Sequence, residues 1–152
     1  MQRPSNLSRP IIESLYSEAL LLADEVRAVF ALGMGETAKD ADDALRLALS
    51  SEGLKATTRI MHVLAWLLNQ RAYFSGELNE SQLRAHGRLP EDRISSPDDL
   101  ALLEPATRAL IEDTMQLHRR ISRLDQAWND NFDVHPVVHA LHDRIGRAMR
   151  TH

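Results

Sequence analysis

An apolar run in the middle of the chain constrains the fold more than any other feature of the sequence. Between Ile60 and Leu68 every residue except His62 is apolar, so a helix formed here has no polar side to turn toward water. The run is shorter than the roughly 20 apolar residues that a helix needs to cross a bilayer. The helix must therefore be covered by protein, either by other parts of the chain or by a second copy.

The composition indicates one domain and excludes several kinds of site. A chain of 152 residues is long enough to bury a core. Its 18 basic and 22 acidic residues give a net charge of −4, which argues against direct nucleic-acid binding. The absence of cysteine excludes disulfides and thiolate ligands. The N-terminal sequence MQRPSNLSRP has no apolar core of a signal peptide, so we expect a cytoplasmic protein without membrane attachment or cofactor.

Apolar residues recur in alternating steps of three and four along three long segments, which predicts an all-α fold. The segments span about 10–32, 38–75 and 105–130, and they predict an up-down-up three-helix bundle within one domain, 1–152. The residues predicted to face inward on the first and third helices are Ile12, Leu15, Ala19, Leu22, Val26 and Val29, and Leu110, Thr114, Leu117, Ile121, Leu124 and Trp128.

The second helix carries two neighbouring apolar rows. One row is a seam with heptad spacing and consists of Leu47, Ser51, Leu54, Thr58, Met61, Ala65, Leu68 and Ala72. A second row lies beside it and consists of Ile60, Val63, Leu64 and Leu67, whereas Trp66 falls outside both. Gly53 lies within the helix and predicts a kink or a break there.

Two apolar rows leave this helix without a polar side for the outside of a three-helix bundle, and we therefore expect a homodimer. The alternative is that a C-terminal helix folds back over this side. The residues expected in the core or in the dimer interface are Ile60, Met61, Val63, Leu64, Trp66, Leu67 and Leu68.

The segment between the second and third long helices is predicted to be a flexible acidic connector. Residues 77–104 contain seven acidic and three basic side chains and show the weakest apolar periodicity in the chain. Asn79 is a predicted N-cap for a short helix that ends before Gly87, and Ser96 is a second predicted N-cap. A short helix at 136–149 completes the predicted fold.

No motif in the sequence indicates catalysis. The chain contains no GxSxG nucleophile elbow, no glycine-rich phosphate loop and no Glu-x-x-His pair of the kind that di-iron bundles use. His135, His139 and His142 form the best metal candidate, because the last two share one helix face. The alternative interpretation is a polar helix face that carries neutral histidines.

Residues 54–82 carry a recognisable motif. It consists of Thr57, Thr58 and Arg59, then Trp66, Leu67, Leu68, Gln70 and Arg71, then Gly76 and Glu77. Weaker matches lie at 15–30 and 117–125. In these segments the chain resembles the alphaproteobacterial RcdA family, the regulators of CtrA degradation. The sequence from Phe132 onward departs from the family pattern, as does most of the connector after Gln82.

The resemblance implies a helical-bundle homodimer with a non-enzymatic role. Members of this family are adaptors that help the ClpXP protease degrade CtrA and related cell-cycle regulators. They work with the response regulator CpdR and, in some species, with a partner that binds cyclic di-GMP. Two alternatives stay open, which are a small metal-binding protein that uses the histidine cluster and a purely structural dimeric module.

An adaptor needs contact surfaces for its partners, and two charged groups are candidates. Arg119, Arg120 and Arg123 form a basic cluster on the third helix. The other group lies in the connector and consists of Glu91, Asp92 and Arg93. The alternative for the arginines is a solvated helix face on which Arg120 pairs locally with an acid. Two further arginines, Arg59 and Arg71, are expected to pair with Glu18 or Glu25 of the first helix, or across a dimer.

Overall fold

Five helices make up the computed structural model, which describes residues 5–32 and 42–133. They are α1 (Ser5–Arg27), which continues into a π-helical turn (Ala28–Leu32), α2 (Asp43–Phe74), α3 (Glu80–His86), α4 (Pro97–Leu102) and α5 (Pro105–Asp133). The described residues contain no strand, and the all-α prediction is confirmed. The predicted helix at 136–149 lies outside the described residues.

Local sequence signals explain where several helices begin and end. The carboxylate of Asp42 accepts a hydrogen bond from the amide of Leu45 at the start of α2. Asn79 forms a capping box with Gln82 at the start of α3, as its sequence position predicted. After α2 the chain turns at Gly76, whose φ of 84° lies in the left-handed region that favours glycine.

The inward-facing rows predicted for α1 and α5 are confirmed. On α1, Ile12, Leu15, Ala19 and Val26 are buried, and on α5 the buried positions include Leu110, Thr114, Leu117 and Ile121. The remaining members of the two rows are partly buried against the same core. Since these rows bury their apolar faces on α2 and on each other, the three long helices share one core.

The relative directions of the three long helices differ from the predicted up-down-up bundle. Arg59 and Trp66 of α2 contact Thr114 and Asp125 of α5, so residue numbers rise together and the two helices are parallel. Arg71 pairs with Glu13 of α1, which makes α1 antiparallel to α2. The prediction failed because it treated the connector as a loop joining neighbouring antiparallel helices. Residues 77–104 instead cross the length of the bundle before α5 begins.

The large apolar residues of the predicted heptad seam of α2 face outward from the single chain. Leu47, Leu54, Met61 and Leu68 are 71%, 61%, 64% and 47% exposed. The second predicted row forms most of the core side, where Ile60, Val63 and Leu67 are buried and Leu64 is half-buried. Trp66, predicted to fall outside both rows, is buried as well. The buried side of α2 also contains polar residues, namely Glu52, Arg59 and Gln70.

α2 continues through Gly53 without the predicted break, and packing explains why glycine stands there. A Cβ atom at this position would lie 2.6 Å from Cδ1 of Phe30, a buried residue in the π-helical turn after α1. The glycine therefore permits a close approach between the end of α1 and α2.

Candidate protein-interaction site

Residues 88–96, here named the strap, lie across α2 and α5 and are fixed by side chains of both helices. Four buried polar or charged residues of the helices bind the strap: Glu52, Arg59, His118 and Asp125. The prediction of a flexible connector is therefore wrong for residues 88–96, because hydrogen bonds to the bundle hold the strap along its length. The strap presents its remaining side chains from a rigid frame, as recognition loops commonly do.

Arg59 is the central anchor of the strap and is only 1% exposed. Its Nε lies 2.8 Å from both carboxylate oxygens of Asp92, and its Nη2 donates to the carbonyl of Arg93 at 3.2 Å. Its Nη1 donates to the hydroxyl of Thr114 on α5 at 2.9 Å. The buried guanidinium is thus paired and hydrogen-bonded on three sides, which is the condition for burying such a charge. The expected pairing with α1 is wrong for Arg59.

Asp125 anchors the beginning of the strap. One carboxylate oxygen accepts from the indole Nε1 of Trp66 at 3.0 Å, and the other accepts from the amide of Leu89 at 3.2 Å. Arg88 lies 3.3 Å from the second oxygen. The Trp66 ring stacks on Trp128 at a centroid distance of 5.3 Å. Trp66 therefore joins α2, α5 and, through Asp125, the strap.

Glu52 anchors the far end of the strap. Its Oε1 accepts hydrogen bonds from the amide of Ser96 at 3.0 Å and from Nζ of Lys55 at 3.1 Å. Burial raises the pKa of Glu52, but interactions with Ser95, Ser96 and Lys55 outweigh burial and hold this pKa below its usual range. The carboxylate is therefore kept charged at neutral pH.

His118 supports the middle of the strap. Its Nε2 donates to the carbonyl oxygen of Pro90 at 3.2 Å. Burial lowers the pKa of His118, and the nearby charge of Arg59 adds to that effect, while Asp92 opposes it. The imidazole is therefore neutral at physiological pH. This residue ties the stability of the strap to pH.

The three connector residues predicted to bind partners, Glu91, Asp92 and Arg93, differ in their exposure and in their contacts. The Asp92 carboxylate is engaged by Arg59, and its side chain is largely covered. Glu91 and Arg93 are exposed on either side of it. Only these two side chains are therefore presented to solvent at this position, and the Asp92 side chain fastens the segment that carries them.

The predicted basic cluster lies on a different side of α5 from the strap. Arg120 pairs with Glu18 of α1 at 2.8 Å, so this side of α5 faces α1. Arg119 and Arg123 are exposed, and within residues 9–30 and 42–130 neither makes an ion pair or a side-chain hydrogen bond. The structure therefore does not combine the arginines and the connector residues into one surface. Arg120 does pair with an acid, but the partner is Glu18 of α1 and not a local residue of its own helix.

An apolar surface lies on the outer side of α1 and α2. It contains the exposed α2 residues Leu47, Leu54, Met61 and Leu68, which recur every seven residues, and we name these four the α2 outer row. A cleft of about 280 Å³ borders this row, with Ile60, Met61 and Leu64 on one wall and Val26 and Phe30 of the α1 segment on the other. Arg71 lies beyond the row, paired with Glu13 and stacked over Tyr16.

The remaining sequence predictions concern a metal site and attachment to a membrane. His135, His139 and His142 lie outside the described residues. In residues 5–32 and 42–133, no cluster of three or more histidine, aspartate or glutamate side chains has a geometry suited to a metal ion. The helices of that same part of the chain include none that is long and apolar enough to span a bilayer.

Sequence reasoning missed three of the four strap anchors. Glu52, His118 and Asp125 look like ordinary polar positions on amphipathic helices, and their partners are backbone groups 28 to 44 residues away. Arg59 flanks the apolar run, and its partner is Asp92 of the strap rather than the predicted acids of the first helix. The available signal was a charged residue placed among the apolar positions that α2 has to bury.

Comparisons with known proteins agree with this architecture. The family described as "Protein of unknown function (DUF1465)" matches residues 4–150, which is nearly the whole chain. Among solved structures, RcdA from Caulobacter crescentus CB15 shares the fold with a TM-score of 0.63 and 24% sequence identity, over 77% of this chain and 90% of the RcdA chain. No curated protein sequence matches. RcdA belongs to the same family, so the resemblance seen in the motif is confirmed.

Proposed function

This chain belongs to the DUF1465 family, and we propose that it is a cytoplasmic, non-enzymatic adaptor that helps deliver cell-cycle regulators such as CtrA to the ClpXP protease. Its partners are then the protease, a response regulator of the CpdR type and a substrate of the CtrA type. The proposal takes these partners from the resemblance to the RcdA family.

One observation carries the proposal. The segment that resembles RcdA supplies Arg59, which binds Asp92 of the strap, and Trp66, which binds the strap anchor Asp125 on α5, in a bundle with the RcdA fold. The motif thus maintains a frame, and the frame carries exposed charged side chains such as Glu91 and Arg93. An adaptor requires such a frame, because it binds two proteins and transforms neither.

We propose a tethering mechanism. An adaptor that binds both the substrate and the protease converts their encounter into an intramolecular event and raises the effective concentration of the substrate at the protease. The charged residues Glu91 and Arg93 on the strap and Arg119 and Arg123 on α5 lie on separate sides of the bundle. Two separate surfaces suit a protein that contacts two partners at once.

The proposal includes a homodimer. The α2 outer row exposes four large apolar side chains at heptad spacing, which is the pattern by which helices of two chains pack. Small or short side chains lie between them at Ser51, Thr58 and Ala65, and they permit a neighbouring helix to approach closely. A two-fold arrangement of this row against itself would remove it from water.

Reconstituted degradation tests the adaptor role. Purified ClpXP and a CpdR-type regulator are mixed with a CtrA-type substrate, and substrate loss is followed with and without this chain. We expect degradation to accelerate several-fold when the chain is present. If the rate is unchanged while the protease degrades a control substrate normally, the adaptor proposal is wrong.

A further inference from the structure

A groove between α1 and α5 combines an apolar floor with a basic edge. Its volume is about 580 Å³, within the 300–1,000 Å³ that is typical of ligand sites. Residues of α1 and α5 line it, namely Pro10, Ile11, Ser14, Leu15, Arg120, Arg123 and Leu124. Ile11 is 46% exposed although it borders an apolar floor, so this part of the groove is open to a further contact.

The charge at the edge of the groove is incompletely balanced. Arg119, Arg120 and Arg123 lie within five residues of α5. One of these charges, that of Arg120, is paired with Glu18 of α1. Arg123 lines the groove, and Arg119 lies one helical turn before it on the same face. In the described part of the chain these two have no acidic partner within ion-pair distance. The groove therefore attracts negative charge on an otherwise acidic protein.

We propose that this groove binds an acidic amphipathic peptide segment of a partner protein, whose apolar side chains contact Ile11, Leu15 and Leu124 while its carboxylates pair with Arg119 and Arg123. This proposal rests on the proposed adaptor function and assigns one of its partner surfaces. A helical segment suits the geometry, because α1 and α5 run antiparallel and leave a groove along which a further helix can lie.

The same features argue against other occupants. A nucleic acid needs a basic stripe that neutralises several phosphates, whereas two arginines on a chain with a net charge of −4 offer little attraction. The apolar floor would also remain uncovered beneath a phosphate backbone. A peptide with apolar residues at helical spacing and acidic residues beside them satisfies both parts of the groove.

A designed peptide tests the proposal directly. The probe is a fluorescein-labelled peptide with leucines at positions i, i+4 and i+7 and glutamates on both sides of them, titrated with the full chain and followed by fluorescence anisotropy. We expect saturable binding that weakens as salt is added. A peptide in which lysines replace the glutamates has the same apolar pattern and should bind at least tenfold more weakly.

Variants locate the binding. Arg119→Glu with Arg123→Glu should weaken binding about tenfold, since two ion pairs of a few tenths to one kcal/mol each become repulsive. Ser14→Trp should block binding by filling the groove from an exposed position. Arg84→Glu with Arg93→Glu is the matched control, because it makes the same charge change at two exposed sites on α3 and the strap and should leave binding within about twofold. Circular dichroism checks that each variant is folded.

Several results would overturn the proposal. They are the absence of saturable binding by the unmodified chain, equal binding of the lysine peptide, or binding that survives both the arginine and the Ser14 variants. These results are distinguishable from failure of the adaptor role. If this chain accelerates degradation but does not bind the peptide, the groove assignment alone is wrong. If the peptide binds in the groove and degradation is unchanged, the site stands and the adaptor role is wrong.

Discussion

At the scale of single residues, a carboxylate on the strap decides whether a buried arginine is tolerated. Asp92→Asn would leave the Arg59 guanidinium buried with only neutral acceptors. We expect this substitution to lower the free energy of unfolding by about 3 kcal/mol, the low end of what breaking a buried pair costs, because Asp92 is partly exposed. Urea unfolding measures it. Glu91→Gln, an exposed neighbour, is the control and should change stability by less than about 0.5 kcal/mol.

If Asp92→Asn were as stable as the control, the strap would not depend on this ion pair and its description as a fixed segment would be contradicted. A result near 3 kcal/mol would assign a structural role to Arg59, one of the residues on which the resemblance to the RcdA family rests. The residue would then have a structural role in the family motif rather than a contact with partners.

A second residue-scale prediction concerns pH. Folding lowers the pKa of His118 below its ordinary value of 6.5, so the unfolded chain binds this proton more readily. The contribution to stability is complete above pH 6.5 and is lost as the pH falls toward the folded pKa. We therefore expect the wild-type chain to lose more stability between pH 7.5 and 5.5 than His118→Gln does, in urea titrations at both pH values.

His86→Gln is the control for this comparison, because His86 is exposed at the end of α3. It should keep the full pH dependence of the wild-type chain. Equal pH dependence in His118→Gln and the wild-type chain would show that the imidazole is not held neutral beneath the strap. The other titrating groups cancel in the comparison because all three proteins share them.

At the scale of elements, α2 shows how packing overrides intrinsic helix preference. Replacing a glycine inside a helix by alanine gains about 1 kcal/mol from propensity alone. At Gly53 the added Cβ would meet the Phe30 ring at 2.6 Å, so we expect Gly53→Ala to destabilise the chain by about 1–3 kcal/mol instead. Thermal unfolding monitored by circular dichroism gives the sign.

A smaller side chain at position 30, which contacts position 53, provides the control for Gly53→Ala. Phe30→Ala removes Cδ1, Cε1 and Cγ, the atoms nearest to the new Cβ, so the double variant should be more stable than the sum of the two single losses predicts. If Gly53→Ala stabilised the chain, the close packing of the π-helical turn on α2 would be contradicted.

The elements also show what sequence periodicity can and cannot resolve. On α1 and α5 the row with heptad spacing is the side that is buried, so their buried sides were predicted correctly, although α1 also exposes Ile11, Leu20 and Leu21. α2 has two apolar rows, and periodicity alone does not say which of them faces the core. The choice depends on Glu52 and Arg59, whose strap partners lie 33 to 44 residues away and make burial of charge possible. Such partners are visible only once the chain has folded.

At the scale of the whole molecule, the path of the connector decides the topology. The sequence predicts the caps at Asn79 and Ser96, and both are found. It does not indicate the direction of the strap, because a segment of this length can either return to a neighbouring helix end or cross the bundle. Contacts with buried side chains of α2 and α5 select the crossing, and they make α5 parallel to α2.

The dimer is a prediction at the same scale. Met61→Glu places a charge in the centre of the α2 outer row while leaving the monomer core intact, because Met61 is exposed within one chain. In light scattering on a sizing column we expect the wild-type chain at twice the mass of one chain and Met61→Glu at the mass of one chain.

Ile94→Glu is the matched control for Met61→Glu, because it places the same charge at an exposed apolar residue of the strap, which is not part of the α2 outer row. It should remain a dimer. A wild-type monomer would contradict the dimer directly, and a dimeric Met61→Glu variant would show that the interface lies on another surface.

The most direct test of the central claim, that this chain tethers substrate to protease, is the substrate-concentration dependence of degradation. Initial rates of ClpXP acting on a CtrA-type substrate are measured with and without this chain, in the presence of a CpdR-type regulator. Tethering predicts a several-fold lower KM with kcat nearly unchanged, and no effect on a substrate that the chain does not bind. An unchanged KM, or an equal rise in kcat for both substrates, would contradict tethering.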